Sequence, residues 1–363
     1  MGKRTKHQMV KEEIQQRIET GEYQIGEKIP AESQLMETYS VSRHTIRQAI
    51  ASLVNEGVLE KVQGSGTFVR ESVQKAQPQT NKTIGVITTY LSDYIFPSII
   101  RGIEEELREK GYSLLLASTQ NNPIHEQKSL EMMLQHKVDG FIVEPTRSSY
   151  LNPNLSYYLQ FKREGIPFVY LHSSYPEMEA PVVAMDDVKA AELATQHLID
   201  QGHRRIAVIT KADDAQGRSR LKGFIQTMEK EDLPLTHQHI LTYETETQDT
   251  LTEEIVALLR QPKRPTAIVA YNDQIALFVE EAAREVGLSI PTELALVSHD
   301  ASGLRLNGNG KALTSVRHPK EQMGRDAAQL LLTAIQSPAG KIQSIFYEPE
   351  LLIQDTSKAS LSK

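Results

Sequence analysis

The sequence predicts a two-lobed α/β domain, built from doubly wound parallel sheets, preceded by a small α+β domain of the winged helix-turn-helix type. Three observations carry that reading. Residues 1–70 hold amphipathic helical patterns that end in a Gly-rich turn between two short β-type runs, the next dozen residues lose apolar periodicity, and from residue 83 onward β-branched runs alternate with helical stretches. At 363 residues the chain also exceeds what one hydrophobic core normally supports. The organisation expected is a head at 1–70, a linker at 71–82 and a two-lobed body at 83–363.

In the head, Val10, Ile14 and Ile18 recur at i, i+4 and i+8, one face of a helix. Pro30 precedes a short helix over Glu32 to Tyr39, and a tight turn through Ser40 and Val41 leads to Ser42, which caps a second helix. Ile46, Ile50 and Leu53 form the buried stripe of that helix. Ser42, Arg43, His44, Thr45 and Arg47 occupy its first turns, where polar groups can read base edges in a major groove, Arg pairing with guanine O6 and N7. The bland alternative for any one exposed Arg or His is a solvated face. Val58–Val62 and Thr67–Arg70 then flank Gln63-Gly64-Ser65-Gly66, a turn suited to a hairpin wing whose tip would present Gln63, Gly64, Gly66 and Thr67.

The stretch from Arg70 to Lys82 is rich in Gln, contains Pro78 and reads as a linker. Beyond it the runs TIGVITTY, YSLLLAS, GFIVEP, PFVYLHS, RIAVIT and AIVAYN read as strands, separated by helical patterns such as Pro97–Lys110, Lys128–Gln135, Ala190–Gln201 and Gln274–Val286. Strand, helix, strand at this spacing implies right-handed crossovers and parallel sheets covered on both faces. There are too many units for one compact sheet, so two lobes with a cleft between them follow, the crossovers passing near Asp186 and Arg317. Ligands of such sheets bind beyond the carboxyl ends of the strands.

Composition narrows the class. Zero cysteine removes disulfides, thiolate metal sites and cysteine nucleophiles together. No apolar run approaches the roughly 20 residues that span a bilayer, and the basic, polar start lacks a signal-peptide core, so a cytoplasmic protein is expected. The net charge of −7 is unevenly placed: residues 1–70 hold 10 Lys+Arg against 9 Asp+Glu, and the remainder 30 against 38. A nucleic-acid contact needs only a local basic face. G-x-G-x-x-G, Walker A, G-x-S-x-G and H-E-x-x-H patterns are absent and the eleven His are scattered, so neither an enzyme, a cofactor nor a metal site is expected.

The segment IPAESQLMETYSVSRHTIRQAIASLVNEGVLEKVQGSGTFVR resembles the GntR family of bacterial regulators over about 60 residues, through its Pro-Ala-Glu helix start, S-R-H-T-I-R and Q-G-S-G-T-F-V. By that resemblance Arg43, His44, Arg47 and Gln63 would contact double-stranded operator DNA, with Lys6, Glu32 and Thr67 in support. The body resembles a different family, the LacI-type regulators, which share their two-lobed architecture with periplasmic sugar-binding proteins. The resemblance lies in GVI, FPSIIRGIEEEL, MDD, HLIDQGHRRIAVI, SRLKGF, AYNDQIAL, LVSHDAS and LTSVRHPKEQMG.

It implies a small sugar effector, a homodimer and no membrane. Hydroxyl-rich ligands require paired hydrogen-bonding groups and aromatic surface in a closed cleft. The candidates at strand ends are Tyr94, Phe96, Glu144, Thr146 and His172 from one lobe, and Gln216, Arg220, Asn272, Asp273 and Asp300 from the other. The pairing of these two parts, with V-E-P-T-R-S, is similar to the arabinose-responsive transcription repressors of low-GC Gram-positive bacteria, which would make L-arabinose the effector. A sugar-transport binding protein, or a regulator with a lyase-like effector domain, are the rivals: the first leaves the head unexplained, and the second is at odds with the long βα-repeating body.

Overall fold

In the computed structural model, residues 5–62, 64–70, 81–92, 95–337, 340 and 342–358 are described. The chain divides into two compact units, 1–80 and 81–363. The stretch 71–80, most of the expected linker, lies outside the described residues, as do Gln63 and Tyr94.

The first unit contains α1 (Lys6–Glu19), α2 (Glu32–Tyr39), α3 (Arg43–Asn55) and an antiparallel hairpin of β1 (Leu59–Val62) and β2 (Gly66–Val69). Val10, Ile14, Leu35, Ile46, Ala49, Ile50, Leu53, Leu59 and Val69 form its core, so the helical stripes read from the sequence are the buried faces. The turn between α2 and α3 closes through Ser40 at φ 51°, and the Ser42 hydroxyl accepts the Thr45 amide at 3.3 Å, satisfying one of the otherwise orphaned N–H groups at the start of α3.

The body is two six-stranded sheets. The first lobe runs β3 (Thr83–Thr88), α4 (Phe96–Glu109), β4 (Ser113–Ser118), α5 (Pro123–Gln135), β5 (Gly140–Val143), α6 (Leu155–Glu164), β6 (Phe168–Leu171) and β7 (Val182–Met185). The second runs α7 (Asp187–Asp200), β8 (Ile206–Lys211), α8 (Ala215–Lys230), β9 (Ile240–Tyr243), α9 (Leu251–Leu259), β10 (Ala267–Ala270), α10 (Asp273–Glu285), β11 (Ala295–Asp300) and β12 (Thr314–Arg317). The chain then returns to the first lobe as α11 (Lys320–Gln336) and β13 (Ile345–Tyr347), and to the second as β14 (Leu351–Leu352). Sheet orders are β13-β7-β6-β5-β3-β4 and β14-β12-β11-β10-β8-β9, all pairs parallel except β12 with β14.

Three crossovers therefore join the lobes. Two fall at Asp186 and just after Arg317, where the sequence places them, and the third, at 348–350, is not foreshadowed there. Among the strands outside the runs read from the sequence are β7, β9, β12, β13 and β14. On the outer face of the first lobe α4 and α11 meet backbone to backbone at Gly102 and Gly324, where a Cβ would collide with the carbonyls of Glu321 and Ile99.

Candidate nucleic-acid face and ligand cleft

In the head, the side of α3 opposite its buried stripe is exposed at Ser42, Arg43, His44 and Arg47, with Thr45 half-buried. The α3 N-terminus carries no acidic residue in its first turn, so the positive end of the helix dipole and two guanidinium groups share one surface. Arg47 is not free: its Nε donates to both Glu32 oxygens at 2.9 and 3.1 Å across the α2–α3 turn. Glu32 thus orients Arg47. Lys6 is exposed at the start of α1, Gly64 is exposed at φ 76° in the hairpin turn, and Gly66 and Thr67 are half-buried at the start of β2. Of the expected face, only Gln63 lies outside the described residues.

In the body, the carboxyl ends of β3, β5 and β6 face those of β8, β10 and β11 across a cavity of about 480 Å³. Most of the expected ligand residues meet at its wall: Phe96, Glu144, His172, Gln216, Arg220, Asn272 and Asp300. Glu144 accepts the Thr89 amide and hydroxyl, each at 2.6 Å, and its other oxygen meets His172 Nδ1 at 2.7 Å. Burial disfavours charge on His172, but the Glu144 hydrogen bond and charge outweigh it and raise the imidazole above its ordinary pKa. His172 also sits at φ 66°, a left-handed backbone that a buried non-Gly residue adopts only when its surroundings fix it.

On the opposite wall Arg220 donates from Nε to Asp187 at 2.8 Å and from Nη1 to the Tyr271 carbonyl at 2.6 Å, and its Nη2 lies 3.5 Å from Asp300. Burial opposes its charge, and Asp187 and Asp300 more than offset that, raising its pKa. Lys211 lies 3.7 Å from Asp213. Asp214 lines the cavity, accepts the Tyr271 hydroxyl at 2.5 Å and is held below its ordinary pKa because Lys211 and that hydroxyl overcome the effect of burial. Tyr90 and Phe96 supply aromatic surface from one side, Tyr243, Tyr271 and Phe278 from the other.

Two expected contacts are not at the wall. Asp273 is buried outside the cavity lining, its oxygens taken by Ser298 Oγ at 2.5 Å, Ser315 Oγ at 2.7 Å, and the Ser302 amide and hydroxyl at 2.7 Å each. Its carboxylate is a node tying α10 to β11 and β12. Asp273→Ala is expected to lower the melting temperature by several degrees, for about 2–4 kcal/mol forfeited with the stranded hydroxyls, as scanning calorimetry would show. Thr146 is also buried away from the cavity, its hydroxyl on Thr119 at 3.0 Å and its amide on the Tyr175 oxygen at 2.7 Å.

Asn121, Lys211, Asp214, Tyr243, Tyr271 and His318 also line the cavity, beyond the residues expected from the sequence. His318 rides on the second crossover with both ring nitrogens buried and unpartnered, and burial holds it well below its ordinary pKa, hence neutral. His172 Nε2 is likewise unpartnered, 5.1 Å separating the two ring centroids. Lys211 and Asp214 carry a usable signal, since they stand at the end of a strand that the sequence reveals.

Residues 6–69 match the model of bacterial regulatory proteins of the gntR family, and 195–357 that of the periplasmic binding protein-like domain. Over its whole length the chain is similar to two proteins named arabinose metabolism transcriptional repressor. That of Geobacillus stearothermophilus is 45% identical over 97% of this chain and 98% of its own, and that of Halalkalibacterium halodurans 43% over 99% and 98%. Among solved structures, the transcriptional regulator CelR in complex with cellobiose superposes with a TM-score of 0.68 at 22% identity, covering 87% of this chain and 92% of that one. A periplasmic binding protein/LacI transcriptional regulator from Alkaliphilus metalliredigens complexed with D-xylulofuranose gives 0.62 at 25% identity, covering 76% and 99%.

Proposed function

Since the chain belongs to the family of arabinose metabolism transcriptional repressors, and is a DNA-binding repressor with a gntR-type head, we propose that L-arabinose is its effector and that the sugar releases it from DNA. The observation that carries the choice of an uncharged sugar is electrostatic. Both the Lys and the Arg described at the cleft wall are already matched by carboxylates, Arg220 by Asp187 and Asp300 and Lys211 by Asp213, and His172 is hydrogen-bonded to Glu144. A phosphorylated or acidic sugar would find no uncompensated positive charge there, while a neutral polyol meets carboxylates, amides and imidazoles that pair with hydroxyls, between aromatic walls. The cavity lies in the lower half of the roughly 300–1,000 Å³ usual for small-molecule sites, which suits a monosaccharide.

In this reading Phe96, Glu144, His172, Gln216, Arg220, Asn272, Asp300 and His318 hold the sugar. Arg43, His44, Arg47 and Gln63 read the operator, with Lys6, Glu32, Ser42, Thr45, Gly64, Gly66 and Thr67 positioning them. The protein acts in the cytoplasm as a homodimer on a palindromic operator, and closure of the sugar cleft disfavours the head spacing the operator demands. No described helix is long and apolar enough to cross a membrane. Titration calorimetry with L-arabinose, D-ribose, D-xylose, D-glucose, cellobiose and arabinose 5-phosphate tests the effector. L-arabinose is expected to bind and the phosphate not to. Tighter binding of another sugar would transfer the reading to that sugar, and binding of the phosphate would refute the charge argument.

A further inference from the structure

Above the sugar cleft, loops of the two lobes are joined by a polar network in which Asn121 is central. Asn121, 4% exposed, follows β4 in the first lobe, and its Nδ2 donates to Asp213 Oδ2 at 2.9 Å and to Thr245 Oγ1 at 2.7 Å, both in the second. Thr245 is itself held on Asp213 by its amide at 3.1 Å and its hydroxyl at 2.6 Å. The other end of Asn121 organises its own lobe: Oδ1 accepts the Arg147 amide at 2.8 Å and the carbonyl accepts Arg147 Nε at 3.3 Å. Arg147 then ion-pairs with Glu246 of the second lobe. Alongside, Ser148 Oγ donates to Asp214 at 3.1 Å and accepts the Ala215 amide at 2.9 Å, and the Tyr150 hydroxyl donates to Glu244 at 2.6 Å.

The backbone is shaped for these contacts. Gln120, Asn121 and Arg147 lie at φ 50°, 54° and 45°, conformations that L side chains seldom adopt and that persist where surrounding contacts fix them. Asn121 reaches the cavity wall, but Arg147, Asp213, Thr245 and Glu246 do not line it, so the contacts they make across the lobes need no group from a ligand.

We propose that the Asn121–Asp213–Thr245 and Arg147–Glu246 contacts form an interlobe latch that keeps a population of the effector-free protein closed and thereby sets the effector's apparent affinity. The apparent dissociation constant is the intrinsic one divided by the fraction already competent, so Arg147, Asp213, Thr245 and Glu246, outside the cavity lining, tune sugar binding. By reciprocity the same residues tune how readily the effector-free repressor stays on DNA, a looser latch holding it there more firmly. The effect on affinity rests on the cleft being the sugar site, but the latch itself can be read without sugar.

The chain has no cysteine, so two can be introduced without background. Spin labels at Leu159→Cys on α6 and Glu254→Cys on α9, both exposed, report the distance between lobes in the full-length protein. The effector-free protein is expected to show a closed population that shrinks in Thr245→Val and in Arg147→Glu, and returns in the double variant Arg147→Glu, Glu246→Arg. L-arabinose affinity should fall in parallel, roughly fivefold for Arg147→Glu and about tenfold for Thr245→Val, where the buried Asn121 amide is deprived of its acceptor across the lobes. Distances unchanged by both variants would overturn the latch, as would a shift that the charge swap does not reverse. If the distances respond while no form of the protein binds L-arabinose, the latch stands and the effector assignment fails.

Discussion

Arg220→Met is expected to abolish sugar binding and to lower the stability of the body by about 3–5 kcal/mol, because it strands buried carboxylates. Arg220 and Asp187 are each 6% exposed at the side chain, and Asp300 the same, so no solvent is at hand to screen the charges left behind. Asp187 starts α7 directly after the first crossover, Asp300 ends β11, and the Tyr271 carbonyl follows β10, so one guanidinium ties three elements of the second lobe. Arg220→Lys separates the roles: an ammonium keeps the charge but cannot reach both carboxylates and the carbonyl from one planar fork. It should recover most of the melting temperature and little of the sugar affinity. Full sugar affinity in Arg220→Lys would show that Arg220 is only structural.

Arg47→Ala is expected to weaken operator binding about ten- to hundredfold, the worth of a good guanidinium–base contact, while leaving sugar binding and melting temperature nearly unchanged. Its side chain is 61% exposed and pairs with Glu32, a surface ion pair that contributes little to the fold. Glu32→Gln should have a smaller effect, since Arg47 keeps its charge and forfeits only its anchor. Salt titration distinguishes two roles for Arg47. If its guanidinium grips a phosphate, the alanine variant shows a slope of log affinity against log salt shallower by about one, whereas if it reads a base the slope is unchanged and sequence preference relaxes. Equal weakening on operator and random duplexes, with an unchanged slope, would remove Arg47 from the interface.

Which parts of this are legible in the sequence follows from the range over which each signal acts. The α2–α3 turn can be read to the residue because its determinants, Pro30, Ser40 and Ser42, are local. Glu144 and His172 stand out because parallel sheets place functional side chains just past strand ends, whereas Arg220, inside α8, is marked by the family resemblance of SRLKGF. The Asp273 node is not legible for the complementary reason. It also follows a strand and opens a helix, and nothing nearby in sequence reveals that Ser298, Ser302 and Ser315 converge on it. His318 and Asn121 leave no such mark because their meaning arises only when two lobes meet, one at a crossover, the other in a left-handed loop that periodicity does not register.

The most direct test follows fluorescence anisotropy of a labelled duplex, selected by the full-length protein from random sequence, as L-arabinose is added at fixed protein and physiological salt. The complex is expected to dissociate with L-arabinose, but not with arabinose 5-phosphate and not in Arg220→Lys, with half-release at the sugar concentration that half-saturates the free protein once coupling is included. A complex that persists at saturating L-arabinose, in protein shown by calorimetry to bind the sugar, would contradict release by the sugar.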